Sequence, residues 1–347
     1  MNGSFMNSDK MLKIGQGYID LVEQTLSEND ISGKILYVSD PIVDKLYGEK
    51  VRKQIMAVGR IKEESVDYNT ISYAMTVAER VIATDVDCIV GLGGGKVLDV
   101  CKYASYISKK PLLSIPTTMA NDGIASPIAV LKRKDDKPKS LGCATPKMLL
   151  LDTDLILKGP SALIKAGIGD TISNYMALKD WDFACSKDKD VMNGYAYMLS
   201  KIAFDMLMST KHDSVCSDFL EVLANSLVLS GIAMDFAGSS RPVSGSEHLF
   251  SHALDYFSKK PNLHGLQVAL GTVAVSKLIG DDCGEILDYL HKFEVDVNPK
   301  SLEIDKDTFV YCMKHATSMR NRYTHLNEAD LSDGKLKDLY DELVKIL

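Results

Sequence analysis

The stretch Asp87-Cys-Ile-Val-Gly-Leu-Gly-Gly-Gly-Lys96 joins a short apolar run directly to three consecutive glycines. The apolar run has the length and composition of a buried strand, and the periodicity of Val97 to Ile107 predicts a helix after it. Pro111-Leu-Leu-Ser-Ile115 predicts the next strand. A strand, a helix and a strand at this spacing form a βαβ unit, which predicts a parallel sheet with helices on both faces.

Two further strands and a helix are predicted before this unit. Lys34-Ile-Leu-Tyr-Val38 is an apolar run of strand length that ends at Ser39-Asp40-Pro41. Val51 to Val58 predicts a second strand, and Tyr68 to Ala83 carries apolar residues at helical spacing. The alternation of strands and helices favours an α/β fold for the first half of the chain.

The pattern changes after Pro160. Before that point a polar turn at residues 132–139 separates Ile128-Ala-Val-Leu131 from an apolar run at residues 147–152, which predicts a surface β-hairpin. From Ser161 to Leu347 the apolar periodicity is mainly helical. A boundary near Gly159-Pro160 therefore divides the chain into an α/β domain, residues 1–160, and an all-helical domain, residues 161–347.

The composition excludes several classes of protein. The 347 residues carry a formal charge of −7, which counts against binding to nucleic acid or to an anionic membrane, because these partners need clustered Lys and Arg. No run reaches the roughly 18 apolar residues of a membrane span, and Met1–Lys10 lacks the hydrophobic core of a signal peptide. The seven cysteines are scattered, without a Cys-x-x-Cys pair, as expected of reduced thiols. We therefore expect a cytoplasmic protein that neither binds nucleic acid nor inserts into a membrane.

The glycine run Gly91-Leu-Gly-Gly-Gly-Lys96 has the properties of an anion site. Glycines between a strand and a helix let the backbone approach a pyrophosphate closely, and the helix N-terminus attracts its charge. The G-x-G-x-x-G pattern fails at Lys96 and the P-loop pattern fails at Val97, so a plain tight turn is the alternative. Asp40 is of the type that binds an adenosine ribose, although an Asp after a strand is more often a turn residue.

A polar loop, Pro116-Thr-Thr-Met-Ala-Asn-Asp-Gly-Ile-Ala-Ser-Pro127, follows the next predicted strand. Because α/β folds bind ligands at the carboxyl ends of their parallel strands, this loop is a candidate ligand site. An irregular surface loop would explain its composition but not its location.

Three of the seven histidines lie close together in the sequence. His248 and His252 are four residues apart, so on a helix they share one face. His264 precedes a predicted helix, and Asp170, in Gly167-Ile-Gly-Asp170, is expected at a helix start. One Asp and two His form a ligand set that suits Zn²⁺ or Fe²⁺ with an open coordination position. A lone helical histidine is more often structural, but two on one face with a third nearby favour a metal.

These motifs resemble the superfamily of glycerol dehydrogenases, iron-containing alcohol dehydrogenases and dehydroquinate synthases. The similarity extends from Ile35 to about Tyr323 and rests on five motifs in the order seen in that superfamily: Gly93-Gly-Gly-Lys-Val-Leu-Asp99, Pro116-Thr-Thr-Met-Ala-Asn-Asp-Gly-Ile-Ala-Ser126, Gly167-Ile-Gly-Asp170, the His248/His252 pair and Leu263-His-Gly-Leu266. Within the superfamily the chain is most similar to the sn-glycerol-1-phosphate dehydrogenase branch, through the Asp-Gly-Ile-Ala-Ser form of the loop and Arg320-Asn-Arg-Tyr-Thr324. The resemblance implies a Rossmann-like NAD-binding domain, a helical metal- and substrate-binding domain, and an active site in the cleft between them.

The resemblance also implies which residues bind the cofactor. The pyrophosphate would lie on the turn and helix start, and Asp40 would bind the adenosine ribose. The residues implied for the turn and for the nicotinamide side are Gly93, Gly94, Gly95, Lys96 and Val97, and Thr117, Thr118, Met119, Ala120 and Ser126. Ala120 stands where members of the superfamily often have serine, so it could offer only backbone and van der Waals contacts.

The metal and the substrate have their own implied residues. Asp170, His248 and His264 match the metal ligands of the superfamily, and Asp122 and His252 match positions that contact substrate. His252 is the candidate for a substrate hydrogen bond or a proton relay, and Asp170 would bind metal and also touch a substrate hydroxyl. The catalytic residues expected from the resemblance are therefore Asp122, Asp170 and His252.

The implied activity is that of a metal-dependent, NAD(P)-linked oxidoreductase that interconverts dihydroxyacetone phosphate and sn-glycerol 1-phosphate by hydride transfer. A metal at the open position would polarise the reacting oxygen. NAD is expected over NADP, because Asp40 would repel a 2′-phosphate. Zn²⁺ is the metal expected, with Fe²⁺ and Ni²⁺ as alternatives, and the resemblance suggests a homo-oligomer.

Other activities remain open at this point. Glycerol or another unphosphorylated polyol would be the substrate if no cationic pocket exists; Arg320, Arg322 or Lys96 could supply such a pocket. A dehydroquinate synthase should show a denser Lys, Arg and Asn set around the metal. A non-catalytic nucleotide-binding protein on this fold is the alternative from another class, since fold alone does not establish function.

Overall fold

The computed structural model describes residues 11–347, and the prediction made for Met1–Lys10 lies outside the described residues. This part of the chain forms two compact units, residues 11–119 with 123–160, and residues 161–347 with 120–122. The division does not test which ligand each unit binds. The roles given to residues 1–160 and 161–347 therefore stay predictions.

The first unit contains a parallel sheet, as predicted. Its strands, in chain order, are β1 (Leu12–Gly15), β2 (Gly33–Ser39), β3 (Gly59–Ser65), β4 (Cys88–Gly93), β5 (Leu112–Pro116), β6 (Ile128–Lys132), β7 (Pro138–Gly142) and β8 (Met148–Asp152). Six of them pair in the order β1-β8-β5-β4-β2-β3, all parallel. Gly93 at the end of β4 pairs with Pro116 at the end of β5, so the glycine turn and the polar loop leave the same edge of the sheet.

Both faces of this sheet are covered by apolar side chains. Along β2, Ile35 and Tyr37 pack into one core cluster, whereas Leu36 and Val38 pack into another. This alternation is expected of a parallel strand buried on both sides. The helices of the unit are α1 (Val22–Glu28), α2 (Glu49–Val58), α3 (Ile71–Ala83), α4 (Gly95–Ser108) and the short α5 (Thr153–Leu157). The α/β fold class is thus confirmed for this half of the chain.

The strand predicted at Val51 to Val58 is wrong, because these residues belong to helix α2. Val51 and Ile55, four residues apart, are the buried face of that helix. The strand of this region is β3, which lies at the edge of the sheet and has only half-buried and exposed positions. Edge strands are rich in charge, so the sequence of β3 lacks the apolar run by which a strand is recognised.

The predicted hairpin exists, but one of its strands was misassigned. β6 pairs antiparallel with β7, from Ile128 opposite Gly142 to Lys132 opposite Pro138. The apolar run at residues 147–152 is instead β8, which lies between β1 and β5 in the parallel sheet. Its burial on both faces explains its continuous apolar sequence.

The second unit is helical, as predicted. Its helices are α6 (Ser161–Ser186), α7 (Gly194–Met208), α8 (Ser217–Ala237), α9 (Ser246–Phe257), α10 (His264–Ile279), α11 (Gly284–Lys292), α12 (Lys306–His315) and α13 (Asp333–Ile346). By length and hydropathy alone α8 could cross a membrane, although polar residues interrupt its apolar sequence. Most of its apolar window, 61%, is buried inside the protein, as in the core helix of a soluble fold.

Candidate functional site: a metal-ligand cluster and a glycine turn

Three potential metal ligands converge in the second unit. Asp170 lies in α6, His248 in α9 and His264 at the first residue of α10. Each offers a ligand atom, and these atoms all lie within 4.8 Å of one another. Asp170 and His248 are buried, whereas the side chain of His264 keeps 28% of its exposure. The cluster therefore has one side that a ligand could reach.

The expectation that Asp170 lies at a helix start is wrong, because α6 begins at Ser161 and Asp170 lies well inside it. The glycine before it is needed for a close approach between helices rather than for a turn. A Cβ on Gly169 would lie 2.3 Å from the carbonyl oxygen of Gly265, and one on Gly265 would lie 1.8 Å from that of Ala166. Helices α6 and α10 can thus meet at their backbones, which brings Asp170 and His264 side by side.

Hydrogen bonds orient the side chains of Asp170 and His264. The backbone N–H of Asp122 donates to Oδ2 of Asp170 at 2.9 Å, and Oδ1 lies 3.7 Å from Nε2 of His264. Nδ1 of His264 lies 3.1 Å from the hydroxyl of Ser251, which also accepts from Nε2 of Gln267 at 2.9 Å. Asp170 Oδ1 and His264 Nε2 are consequently the atoms left for a shared ligand.

The electrostatics of the cluster suit a divalent cation. Burial, followed by the nearby Asp122 carboxylate, raises the pKa of Asp170 well above its usual range. Burial also lowers the pKa of His248 well below its usual range and lowers the pKa of His264. Neutral imidazoles keep a lone pair for a metal, and a cation would neutralise the buried carboxylate. Two nitrogens and one oxygen are a donor set that fits Zn²⁺ or Fe²⁺ with a position left open.

His252 lies one turn beyond His248 on α9, as predicted. Its ring centroid is 6.2 Å from that of His248 and 6.0 Å from that of His264. Burial and then the Arg320 charge lower the pKa of His252 well below its usual range. Its Nε2 is buried and has no hydrogen-bond partner among the described residues. A buried polar atom without a partner is unfavourable unless a ligand satisfies it.

Two arginines lie close enough to this cluster to act on its charges. Arg320 donates to the hydroxyl of Ser240 at 3.3 Å, and Arg322 donates to the same hydroxyl at 3.0 Å and to the carbonyl oxygen of Ser244. Both lower the pKa of His248 and of His252. Burial lowers the pKa of Arg322 itself to about 10. Lys96, the third basic residue considered above, is exposed in the first unit.

The glycine turn in the first unit has the geometry of a backbone cradle. β4 ends at Gly93, Gly94 is the N-cap of α4, and the next residue, Gly95, is exposed. The backbone N–H of Thr117 donates to the carbonyl oxygen of Gly93 at 3.0 Å. A Cβ on Gly94 would lie 3.3 Å from the hydroxyl oxygen of Thr118. The turn and the start of the polar loop are therefore neighbours, with the N-terminus of a long helix behind them.

Other residues predicted for the cofactor have more varied positions. Val97, Thr117, Met119 and Ser126 are buried. Asp40 is half-buried and is the N-cap of a short helical turn, where one carboxylate oxygen accepts from the N–H groups of Ile42 and Val43 at 2.9 and 3.0 Å. These hydrogen bonds agree with the alternative that Asp40 is a turn residue, and they leave its second carboxylate oxygen for a ligand. Ala120 and Asp122 group with the second unit.

The polar loop is tied to α4 by a buried lysine that the sequence analysis did not single out. Lys102 has a side chain with 0% exposure. Its ammonium donates to the carbonyl oxygens of Gly123, at 2.8 Å, and of Ile128, and it pairs with Asp99 at 3.0 Å. Fully buried lysines are rare unless paired. Lys102 thus fixes the backbone on the carboxyl side of Asp122.

Comparisons with known proteins identify the family. The family model for iron-containing alcohol dehydrogenases matches residues 13–160. Glycerol-1-phosphate dehydrogenase (NAD(P)+) from Hyperthermus butylicus is 36% identical over 92% of each chain, and the protein of the same name from Aeropyrum pernix is 34% identical over 93% of each. The chain belongs to the glycerol-1-phosphate dehydrogenase family. In fold it is similar to glycerol dehydrogenase from Schizosaccharomyces pombe, with a TM-score of 0.77, 16% identity, and coverage of 96% of this chain and 89% of the other.

Around the metal-ligand cluster of this glycerol-1-phosphate dehydrogenase family member lie three polar residues that sequence reasoning missed. Ser251 contacts His264 directly, and Gln267 contacts it through the hydroxyl of Ser251. Glu247 contacts His248. Each is fully buried. The one available signal was their position on the same helices as the histidines, with Glu247 adjacent to His248 and Ser251 three residues after it. That signal is weak, because such residues are common on helix surfaces.

Proposed function

We propose that this protein is a metal-dependent, NAD(P)-linked oxidoreductase that interconverts dihydroxyacetone phosphate and sn-glycerol 1-phosphate. The convergence of Asp170, His248 and His264 carries this proposal, together with the relatives at 36% and 34% identity. A non-catalytic protein on the same fold would gain nothing from three converging ligands whose burial is unfavourable without a cation.

Asp170, His248 and His264 would hold the metal, with Zn²⁺ proposed and Fe²⁺ or Ni²⁺ as alternatives. A divalent cation bound there supplies Lewis-acid polarisation of the reacting oxygen. Asp170 is held for this task by the N–H of Asp122. His252 would donate a hydrogen bond to the substrate oxygen or relay its proton, since its buried Nε2 is without a partner among the described residues.

The two nearby arginines favour a phosphorylated substrate over glycerol. Arg320 and Arg322 are the cations that act on the histidines of the cluster. A guanidinium matches the geometry of a phosphate group and forms charge-assisted hydrogen bonds to it. We propose that Arg320 or Arg322 contacts the substrate phosphate, and that the Gly93–Val97 turn holds the cofactor pyrophosphate.

Paired substrate assays test the proposed function. NADH oxidation with dihydroxyacetone phosphate should be fast, be lost on chelation and return on addition of Zn²⁺. In the reverse direction kcat/KM for sn-glycerol 1-phosphate should exceed that for glycerol by about 10²–10⁴-fold, since two hydrogen bonds from a guanidinium to the phosphate contribute roughly 1.5–3 kcal/mol each. sn-Glycerol 3-phosphate is the control for a nonspecific phosphate effect. Activity on glycerol alone would instead support the glycerol dehydrogenase alternative.

Asp40 allows a prediction on cofactor choice. Replacing Asp40 by asparagine removes the charge but keeps an oxygen that can cap the turn. We expect the kcat/KM ratio of NADPH to NADH to rise by about fivefold, because roughly 1 kcal/mol of repulsion from a 2′-phosphate is removed. Asp305→Asn is the matched control, since Asp305 caps α12 through the N–H of Thr308 at 2.8 Å. An unchanged ratio in Asp40→Asn would refute the role given to Asp40.

The remaining expectations are proposals of the same kind. We propose a cytoplasmic homo-oligomer, with a polyol phosphate as its small-molecule substrate and no nucleic-acid or membrane partner. Gel filtration with light scattering measures the oligomeric state directly.

A further inference from the structure

Glu247, the second residue of α9, is a buried carboxylate next to a candidate metal ligand. Its side chain has 0% exposure. Oε1 lies 2.8 Å from Nδ1 of His248 and 2.6 Å from the backbone nitrogen of Gly245. Oε2 is buried and has no hydrogen-bond partner among the residues that the structure describes. The carboxylate is therefore only partly satisfied inside the protein.

With Glu247 ionised, these contacts would select which nitrogen of His248 carries the proton. A backbone N–H can only donate, so Oε1 acts as an acceptor toward Gly245. An ionised carboxylate can only accept, so Nδ1 of His248, at 2.8 Å from Oε1, would be the donor. Nε2 of His248 then carries the free lone pair. It is the only nitrogen of this ring that can face Asp170 and His264 as a ligand.

The charge of Glu247 also needs an explanation. An ionised side chain in the interior is unfavourable unless it is paired. The pairing of the carboxylate is incomplete, because Oε2 has no hydrogen-bond partner among the described residues. A neutral glutamine could accept the same two hydrogen bonds as Oε1. A divalent cation, by contrast, would balance the two negative charges of Asp170 and Glu247.

We propose that Glu247 is a positioning residue for the metal. It holds His248 in the tautomer that presents Nε2, and its negative charge, in contact with His248 rather than with the metal, helps to balance the charge of the cation. The inference rests on the proposed metal-dependent function. A merely structural Glu247, which caps the start of α9 through Gly245, is the competing explanation. Contacts beyond the ligands typically contribute about 10–100-fold to metal affinity.

Metal affinity in Glu247 variants tests the inference without relying on turnover. Apo protein is titrated with Co²⁺ and with Zn²⁺ against a competing chelator, for wild type, Glu247→Gln and Glu247→Ala. We expect affinity to fall by about tenfold in Glu247→Gln, which keeps an acceptor, and by about 100-fold in Glu247→Ala, which does not. The visible absorption of the Co²⁺ form should change in both: in Glu247→Gln because a neutral acceptor makes His248 a weaker ligand, and in Glu247→Ala because no acceptor orients the ring.

A matched control and the apo melting temperature separate positioning from stability. Glu285 is also the second residue of a helix, α11, but it is exposed, so Glu285→Gln should bind both metals like wild type. Wild-type affinity and an unaltered Co²⁺ spectrum in both Glu247 variants would overturn the inference, whatever their melting temperatures. If Glu247→Ala does not fold, Glu247→Gln decides. A wild-type protein that binds neither metal would refute the proposed function itself, and the inference with it.

Discussion

Replacing Asp170 by alanine is expected to remove the bound divalent metal and to lower kcat/KM for dihydroxyacetone phosphate by about 10³-fold, because Lewis-acid stabilisation is worth several kcal/mol. Asp170 supplies the oxygen ligand of the cluster, and its Oδ1 lies 3.7 Å from Nε2 of His264. Metal content by elemental analysis and turnover with NADH measure the two effects. His264→Ala should behave in the same way.

The control for this prediction is His291→Ala. His291 is an exposed histidine near the end of α11, outside the cluster, so its removal should leave metal content and turnover unchanged. If Asp170→Ala and His264→Ala retain both metal and turnover while remaining folded, the metal assignment is wrong.

Replacing Gly265 by alanine should push helices α6 and α10 apart and destabilise the helical unit. The added Cβ would lie 1.8 Å from the carbonyl oxygen of Ala166, and a backbone atom cannot rotate away as a side chain can. Overpacking of this kind typically costs about 1–3 kcal/mol, and a backbone clash lies at or beyond the upper end. We expect the melting temperature of the helical unit to fall by roughly 10 °C and metal affinity to be lost, since His264 precedes Gly265.

Gly194→Ala is the matched control for that substitution. Gly194 is the first residue of α7, and a Cβ there would meet nothing within 4 Å. Alanine in place of a helical glycine gains about 0.5–1 kcal/mol, so this variant should be as stable as wild type or slightly more so. Equal melting temperatures for Gly265→Ala and wild type would contradict the close helix approach.

The elements that were predicted correctly are those whose local pattern coincides with their burial. β4 and β5 are buried along their whole length, and Ser114 is the one polar side chain in their sequences. The prediction that His248 and His252 share one face required a helix there, and α9 provides it. A local pattern was also sufficient to place the change from α/β to helical structure near Pro160.

The errors have a common physical cause, which is that tertiary contacts outweigh local preference. β3 is a charged edge strand, so the neighbouring apolar residues of α2 were taken for it. Asp170 was expected at a helix start, although Gly169 before it serves a close contact with α10 that only the folded chain reveals. Pairing partners depend on residues far away in the sequence, which is why β8 was assigned to the hairpin rather than to the sheet.

Only some residues of the candidate site could likewise be predicted from the sequence. Asp170, His248 and His264 are recognisable by residue type and by resemblance, and the structure brings them together. Glu247, Ser251 and Lys102 act through contacts with those residues or with the loop backbone, and no spacing rule selects them. Such residues are found only once distances between atoms are known.

The tether formed by Lys102 has a consequence for the thermodynamics of ligand binding. The segment between β5 and β6 is held at Gly123 and at Ile128, the first residue of β6, by one ammonium group of the same chain. Ordering a free residue costs about 1–2 kcal/mol in backbone entropy. When a loop is held by the chain itself, ligand binding does not have to supply this ordering free energy. More of the intrinsic binding energy of a substrate can then appear as affinity or stabilise the transition state.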